Sequence, residues 1–268
     1  MVPLLLIVVQ LFLFTAVRSE RLFHPDDCTK RLEIFNREVK QHCPFMEKDL
    51  LPAPPPSTTI TVGTIRYRRC VHELAKPERA GLLWTGFWDG DPHASMNVLK
   101  SFATATDSQT LHPDTHLGQL MDKSGILKVC DSEVLNPLWA TASDQFASHM
   151  RYEWQKKVVV LINKKLHGER PLLHSVFYQF ELYALAFNHV GYLRTQAGPQ
   201  NVWQPDIQLI DLQGTCTESM PFLQKSFKNI AESFGFVFNF KPEKWSCEDC
   251  PSGCSLLDPE IVALGRQP

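Results

Sequence analysis

Residue types that could carry out a reaction are sparse in this sequence. It has no G-x-S-x-G nucleophile motif, no H-E-x-x-H zinc motif and no glycine-rich loop for phosphates or dinucleotides. His112 and His116, in HPDTH, could share a metal ion, but the proline between them and their isolation favour a surface loop. The sequence therefore lacks the motifs of serine hydrolases, zinc peptidases and the common nucleotide-binding folds.

The eight cysteines are the next candidates, and their number favours disulfides over metal binding. Cys247, Cys250 and Cys254 form a C-x2-C-x3-C pattern similar to a zinc site. Every histidine lies at or before His189, so a fourth ligand would have to be Cys216 or an acid. An even count of eight is unusual for a reducing compartment. We therefore predict disulfides and no metal site.

Tryptophans and one glutamate form the last group of candidates. Trp84 lies in the apolar run GLLWTGFW, Trp139 follows Asn136-Pro137, and Glu181 ends the aromatic run FYQFE. Taken singly, the tryptophans are typical core residues and the glutamate a typical surface acid. Spacing alone does not make them a site.

Short apolar runs predict the strands that must position these residues. Residues 81–88 form a nearly continuous apolar run, which is typical of a strand buried on both faces. Residues 157–163 (KVVVLIN) are predicted as a second buried strand and residues 206–212 (DIQLIDL) as a third. A fourth strand is predicted at 236–240, directly after a helix. Strand, helix and strand with short connections predict a βαβ unit and parallel pairing.

Helices are predicted between these strands. One begins near Cys28, where Asp27 precedes apolar residues at helical spacing. A second opens at Asn136-Pro137, with an N-cap side chain and a proline at the first helical position. A third has Pro221 near its start and ends at Gly235. The prolines at 52–56 predict an extended linker.

The charge balance limits the partners. The 268 residues carry 27 basic and 29 acidic side chains, a formal charge of -2. Binding of phosphate backbones requires a basic surface, so nucleic acid is not expected as a partner. A homodimer is left open.

The N-terminus predicts export. Residues 3–17 form an apolar run of about 15 residues, shorter than the roughly 20 that a membrane span needs. It fits a signal peptide cleaved after Ser19. A signal anchor is the alternative, but the basic residues lie only on the C-terminal side of the apolar run, which disfavours such an anchor. No further run is long enough to span a membrane, so the mature chain is expected to be secreted, without a membrane span.

Five sequence blocks occur in a recognisable order. They are Cys28-x14-Cys43; LLWTGFWD (82–89); Asp114-Thr115-x-Leu117-Gly118 followed by Asp122; Cys130 nine residues before Trp139 in NPLWATAS; and VVVLIN followed by SVFYQFEL (175–182). In this order and at these spacings the blocks resemble the ADP-ribosyl cyclase / NAD glycohydrolase family of animal ectoenzymes. The resemblance covers essentially the whole mature chain, at low identity.

This resemblance implies a secreted NAD-cleaving enzyme that needs no cofactor, since NAD is its substrate. The products would be nicotinamide with ADP-ribose, cyclic ADP-ribose or both. The implied site has Glu181 as the catalytic acid, Trp84 and Trp139 as aromatic walls at the nicotinamide end, Thr85 and Gly86 near the phosphates, Ser143 near the reacting ribose, Asp122 at the carboxamide, and Phe177 as a further substrate-binding residue.

One carboxylate suffices for this chemistry. Nicotinamide leaves NAD as a neutral base, so no general acid has to protonate it, unlike the leaving group of an ordinary glycosidase. A single carboxylate can hold the ribose hydroxyls and stabilise the developing oxocarbenium charge. Aromatic faces stack favourably on the cationic pyridinium.

Some positions depart from the family pattern. Pro113 stands where an acid that influences cyclisation is usual, and Tyr178 replaces a glycine and is expected to crowd the phosphate pocket. Residues 187–204 look like an insertion. These departures favour the alternative, a catalytically weak or inactive relative that acts as an extracellular nucleotide-binding or receptor-like module. An unrelated disulfide-stabilised extracellular domain is a third interpretation.

The predicted fold is α/β and two-lobed. A mainly helical N-terminal lobe (20–78 and 113–152) follows the signal peptide (1–19), and a second lobe (79–112 and 153–268) holds a small parallel sheet flanked by helices. The predicted disulfides are Cys28–Cys43, whose members bracket the first helix, and Cys70–Cys130. The partner of Cys216 is left open within the cluster of Cys247, Cys250 and Cys254.

Overall fold

The computed structural model describes residues 25–42, 68–87, 92–151, 157–168, 171–187, 206–234, 240–251 and 253–268. Predictions for the signal peptide, Cys43, the proline-rich linker and nearly all of the insertion lie outside these residues. Within the described ranges, no helix combines the length and the apolar character needed to cross a bilayer.

A five-stranded parallel sheet forms the centre of the molecule, as predicted. Its strands are β1 (Ala80–Thr85), β2 (Ser108–Gln109), β3 (Lys157–Ile162), β4 (Asp206–Asp211) and β5 (Trp245–Asp249). Their spatial order is β2-β1-β3-β4-β5, and every neighbouring pair is parallel. The short β2 lies on one side of β1, and β3, β4 and β5 follow one another on the other side. The direction in which the chain adds strands to the sheet therefore reverses between β1 and β3.

The central strands are buried on both faces because their apolar side chains alternate between two cores. In β3, Val158, Val160 and Ile162 belong to one hydrophobic cluster, and Val159 and Leu161 belong to the other. All five are at most 2% exposed. Burying such a side chain contributes roughly 1.5–3 kcal/mol, so β3 anchors both sides of the sheet.

Helices cover both faces. They are α1 (Pro25–His42), α2 (Arg68–Leu74), α3 (Pro92–Ala105), α4 (His116–Ser124), α5 (Ile126–Val129), α6 (Ser132–Ser148), α7 (Cys216–Ser233) and α8 (Pro259–Gly265). Apolar residues of α6 and α7 join one core and those of α3 and α8 the other. The N-terminal helix α1 packs on α4 and α5.

Helix α6 begins five residues before the predicted start, at Ser132 rather than Pro137. Asp131 is its N-cap, and its carboxylate accepts a hydrogen bond from the Val134 N–H at 3.2 Å. Pro137 therefore lies inside the helix rather than at its first position. The cap at Asp131 satisfies an N–H group that the first turn of any helix leaves unpaired.

The βαβ unit is present, but its second strand differs from the prediction. Helix α7 leads from β4 to β5, and β5 pairs in parallel with β4 over Ile207–Asp211 and Trp245–Asp249. The predicted strand at 236–240 lies outside the described residues except for Phe240, which is not in a strand.

The predicted disulfide pairs of Cys28 and Cys130 are wrong. Among cysteines that both lie in the described ranges, bridges join Cys28 to Cys130, Cys216 to Cys247 and Cys250 to Cys254. Cys70 is disulfide-bonded as well, but not to Cys130. Helix α1 rises 1.5 Å per residue from Pro25 to His42, so Cys28 lies roughly 20 Å from the last turn of that helix. A disulfide tolerates at most about 7 Å between the two Cα atoms.

The D-T-x-x-G segment has a structural explanation for each of its three defining residues. Asp114 Oδ2 accepts hydrogen bonds from the N–H (2.8 Å) and hydroxyl (2.9 Å) of Thr110. Thr115 caps α4 by accepting from the Gly118 N–H at 3.1 Å. A Cβ on Gly118 would lie 2.5 Å from the Leu111 carbonyl oxygen. The motif thus fixes the loop against the start of α4.

Gly118→Ala is expected to lower the free energy of unfolding by about 1–3 kcal/mol, because the new methyl group meets backbone atoms that cannot yield. Gly81→Ala is the control, since its nearest contact is the flexible end of the Met150 side chain. Urea denaturation of both variants tests this. An equal loss in the two would contradict the assignment.

Candidate functional site

A cavity of 480 Å³ opens at the carboxyl ends of β1 and β3. Trp84, Thr85 and Gly86 reach it from the end of β1, and Lys164 reaches it from the residues just after β3. The strand order reverses between β1 and β3, and open parallel sheets bind ligands in the crevice at such a point. The volume lies in the range of small-molecule pockets.

One face of α6 forms the second wall. Ser132, Leu135, Asn136, Trp139 and Ser143 line the cavity, and their spacing of three or four residues places them on a single stripe of the helix. The earlier helix start adds the first turn of α6 to this stripe. Trp139 therefore faces the cavity from the middle of a regular helix.

The third wall carries Glu181 on a single helical turn. Phe177–Glu181 form a π-helical turn, in which the Leu182 N–H donates to the Phe177 carbonyl five residues earlier. Ser175 caps this turn by accepting a hydrogen bond from the Tyr178 N–H at 3.1 Å. Phe177 and Glu181 both line the cavity. Such π-turns occur preferentially at functional sites.

Glu181 is a buried carboxyl group with little polar support. Its side chain is 6% exposed, and Oε2 has no hydrogen-bond partner among the described residues. Desolvation raises the pKa of Glu181 to about 8, although a hydrogen bond from Ser143 acts in the opposite direction. The group is therefore mostly protonated at neutral pH when the cavity holds no ligand.

A hydrogen-bond network fixes the strand ends beneath the cavity. Gly86 has a φ of +83°, and a Cβ there would lie 2.2 Å from the Asn163 carbonyl oxygen. The Asn163 side-chain amide donates to the Gly86 carbonyl at 3.3 Å, and its oxygen accepts from Gln213 at 2.7 Å. Asn163 thus connects the ends of β1 and β4, which flank its own strand.

The structure brings together seven of the eight residues predicted for the site: Trp84, Thr85, Gly86, Trp139, Ser143, Phe177 and Glu181. Asp122 is not among the lining residues. Its Oδ1 lies 3.0 Å from His112 Nε2, and the His112 ring meets the Trp139 ring edge to face at 5.8 Å between centroids. His112 thus contacts both Asp122 and Trp139 and links the two residues.

The sequence predicts that Tyr178 crowds the cavity, but the structure places its side chain elsewhere. Its ring stacks on Phe222, and its hydroxyl lies 3.2 Å from the Ser226 hydroxyl. Both contacts are with α7, and Tyr178 is not among the lining residues. The side chain therefore fastens the π-helical turn to α7.

The sequence analysis missed Lys164 and His174, which also line the cavity. Lys164 comes directly after the predicted strand 157–163, and a charged residue at that position could have indicated a ligand site. His174 ends the short 3-10 helix Leu172–His174, for which the sequence gives no comparable signal.

Asp211, Cys216 and Asp249 lie close together at the ends of β4 and β5. Cys216 is bonded to Cys247, and Asp211 Oδ2 accepts hydrogen bonds from the Thr215 and Ser219 hydroxyls, both at 2.9 Å. These groups join α7 to the sheet.

Comparison with known proteins gives no match: no family model, no curated protein and no solved structure is significantly similar to this chain. The family resemblance of the five sequence blocks therefore stands on those residues alone.

Glu181→Gln is expected to stabilise the protein at neutral pH. The pKa of Glu181 is about 8 in the folded chain, above its ordinary value of 4.5. Between these two pH values the folded chain holds a proton that the unfolded chain releases. The free energy of unfolding therefore falls as the pH rises from 4.5 to 8. The variant avoids this loss, which is on the order of 3 kcal/mol at pH 7.

Thermal unfolding of both proteins between pH 4.5 and 8 measures the difference, which is expected to grow with pH. Glu38→Gln is the control, because the hydrogen bond from Lys123 at 2.7 Å lowers the pKa of Glu38. That variant is expected to show no gain. A Glu181→Gln variant less stable than the native chain at pH 8 would contradict the assignment.

Proposed function

We propose that the protein is a secreted, two-lobed enzyme that cleaves NAD to nicotinamide and ADP-ribose, cyclic ADP-ribose or both. The observation that carries this proposal is that Trp84, Trp139 and the buried Glu181 line the same cavity. Three disulfides fit an oxidising compartment, which supports secretion.

The proposed reaction begins with breakage of the bond between the nicotinamide nitrogen and the ribose. The bonding electron pair leaves with nicotinamide, and the ribosyl carbon becomes an oxocarbenium-like cation. Ionised Glu181, which is itself buried, stabilises this charge. Water then adds to the carbon and releases a proton, giving ADP-ribose, or the adenine N1 attacks and gives the cyclic product.

The tryptophans suit a flat cationic ring. Trp84 and Trp139 approach the cavity from β1 and α6, so their positions are set by two different elements of the fold. An indole face attracts a pyridinium more strongly than simple burial would. The ring would also displace water from the neighbourhood of Glu181.

Substrate binding would change the ionisation of Glu181. Desolvation alone raises its pKa, and a pyridinium or oxocarbenium charge nearby favours the carboxylate and lowers that pKa. Binding of the cation is therefore coupled to release of a proton. The carboxylate would form where its negative charge is needed.

A non-catalytic nucleotide-binding module is the second candidate. The observation that favours it is the neutral state of Glu181 at pH 7 without ligand, since a neutral carboxyl group is a hydrogen-bond donor rather than a stabiliser of cations. Pro113, in place of the usual acid, points the same way.

Incubation of the purified chain with NAD, followed by separation of the products, distinguishes the two candidates. We expect nicotinamide release, and a loss of roughly a hundredfold or more in kcat for Glu181→Gln, because the developing charge loses its counter-ion. Thermal unfolding verifies that the variant is folded. No release of nicotinamide at high protein concentration would overturn the enzymatic proposal.

The pH dependence of turnover gives a separate test. Since kcat/KM reports the free enzyme, it is expected to rise with pH with a midpoint near 8, where half of Glu181 is ionised. The midpoint for kcat is expected at lower pH, because the bound cation favours the carboxylate. Steady-state rates from pH 5 to 9 measure both. A kcat/KM that is flat from pH 6 to 9 would contradict the role of Glu181.

A further inference from the structure

We propose that Lys164 binds the diphosphate group of the ligand in this cavity and sets its preference for diphosphate-containing compounds. The inference rests on the proposed function for the choice of ligand, a dinucleotide or its ADP-ribose portion. Lys164 belongs to none of the five blocks on which the family resemblance is based.

The position of Lys164 is defined by the end of β3 and by Gly86. Lys164 is half-buried and lines the cavity two residues after the last residue of β3, Ile162. A Cβ on Gly86 would lie 2.7 Å from Lys164 Cγ. The missing side chain at Gly86 therefore provides the space in which the lysine stem crosses the end of β1.

The charge of the lining favours an anion. Among the described lining residues, Lys164 is the side chain with a permanent positive charge at neutral pH, and Glu181 is the acid. Because burial raises the pKa of Glu181 to about 8, its carboxyl group adds little negative charge to the ligand-free cavity at neutral pH. An ammonium group with three donors is a common protein contact for phosphate oxygens.

Neutral donors complete the environment. The hydroxyl groups of Ser132, Thr85 and Ser175 and the amide of Asn136 line the same cavity. Such groups hydrogen-bond phosphate and ribose oxygens without adding charge. Ligands of open parallel sheets bind at the carboxyl ends of the strands, where Lys164 lies.

Calorimetric titration with ADP-ribose tests the inference without requiring turnover. Lys164→Gln is expected to weaken binding about tenfold or more, the effect of losing a charge-assisted hydrogen bond. Lys164→Arg, which keeps the charge, is expected to retain most of the affinity. Lys165→Gln is the matched control, since Lys165 is exposed and is not a lining residue.

Turnover of nicotinamide riboside, which has no phosphate, supplies the second readout. Lys164→Gln should lower kcat/KM for NAD and leave that for the riboside unchanged. Equal ADP-ribose affinity in the Gln variant and the native chain, or no binding of ADP-ribose by the native chain at millimolar concentration, would overturn the inference. Absence of NAD cleavage together with a Lys164-dependent ADP-ribose affinity would instead overturn only the proposed function.

Discussion

The close approach of two backbones at the ends of β1 and β3 is the constraint on which the cavity depends. The last register pair is Thr85 with Ile162, and the Asn163 N–H then donates to the Thr85 carbonyl at 2.9 Å. Directly beyond this contact, Gly86 passes so close to the Asn163 carbonyl that no side chain fits. The chain must turn away here, and the cavity opens above the turn.

Burial of one carboxyl group without a counter-charge is the second constraint. Glu181 lies under apolar and aromatic neighbours, and only the Ser143 hydroxyl supports it among the described residues. A fold selected for stability alone would place an apolar residue at such a position. The unfavourable environment is the kind that makes a carboxyl group responsive to a cation, and strained groups of this type collect at functional sites.

The sequence predicts the central strands well and the edges poorly. β1 and β3 are nearly continuous apolar runs, and burial on both faces leaves them no other environment. β4 (DIQLID) alternates apolar and polar residues and was still recognisable as a strand. β5 has the sequence WSCED, whose polar residues and cysteine hide its place at the edge of the sheet. The predicted start of α6 at Asn136-Pro137 is wrong because Asp131 provides the N-cap five residues earlier.

The site was predictable only where residues share a motif. Trp84, Thr85 and Gly86 are consecutive, and Trp139 and Ser143 are four residues apart on one helix. Lys164 and His174 come from segments without such a pattern, and the fold alone brings them to the cavity. The π-helical turn that carries Glu181 has no recognised sequence signal.

The Cys28–Cys130 disulfide makes one wall of the cavity depend on the redox conditions around the protein. It joins residues 102 positions apart, and closing a loop of that length restricts the unfolded chain by about 4–5 kcal/mol in the chain-entropy view. Cys130 immediately precedes Asp131, the cap of the helix whose stripe lines the cavity. In a thiol-rich cytosol this tether would be cut at the base of that wall. The bridge therefore makes the integrity of this cavity wall depend on oxidising conditions.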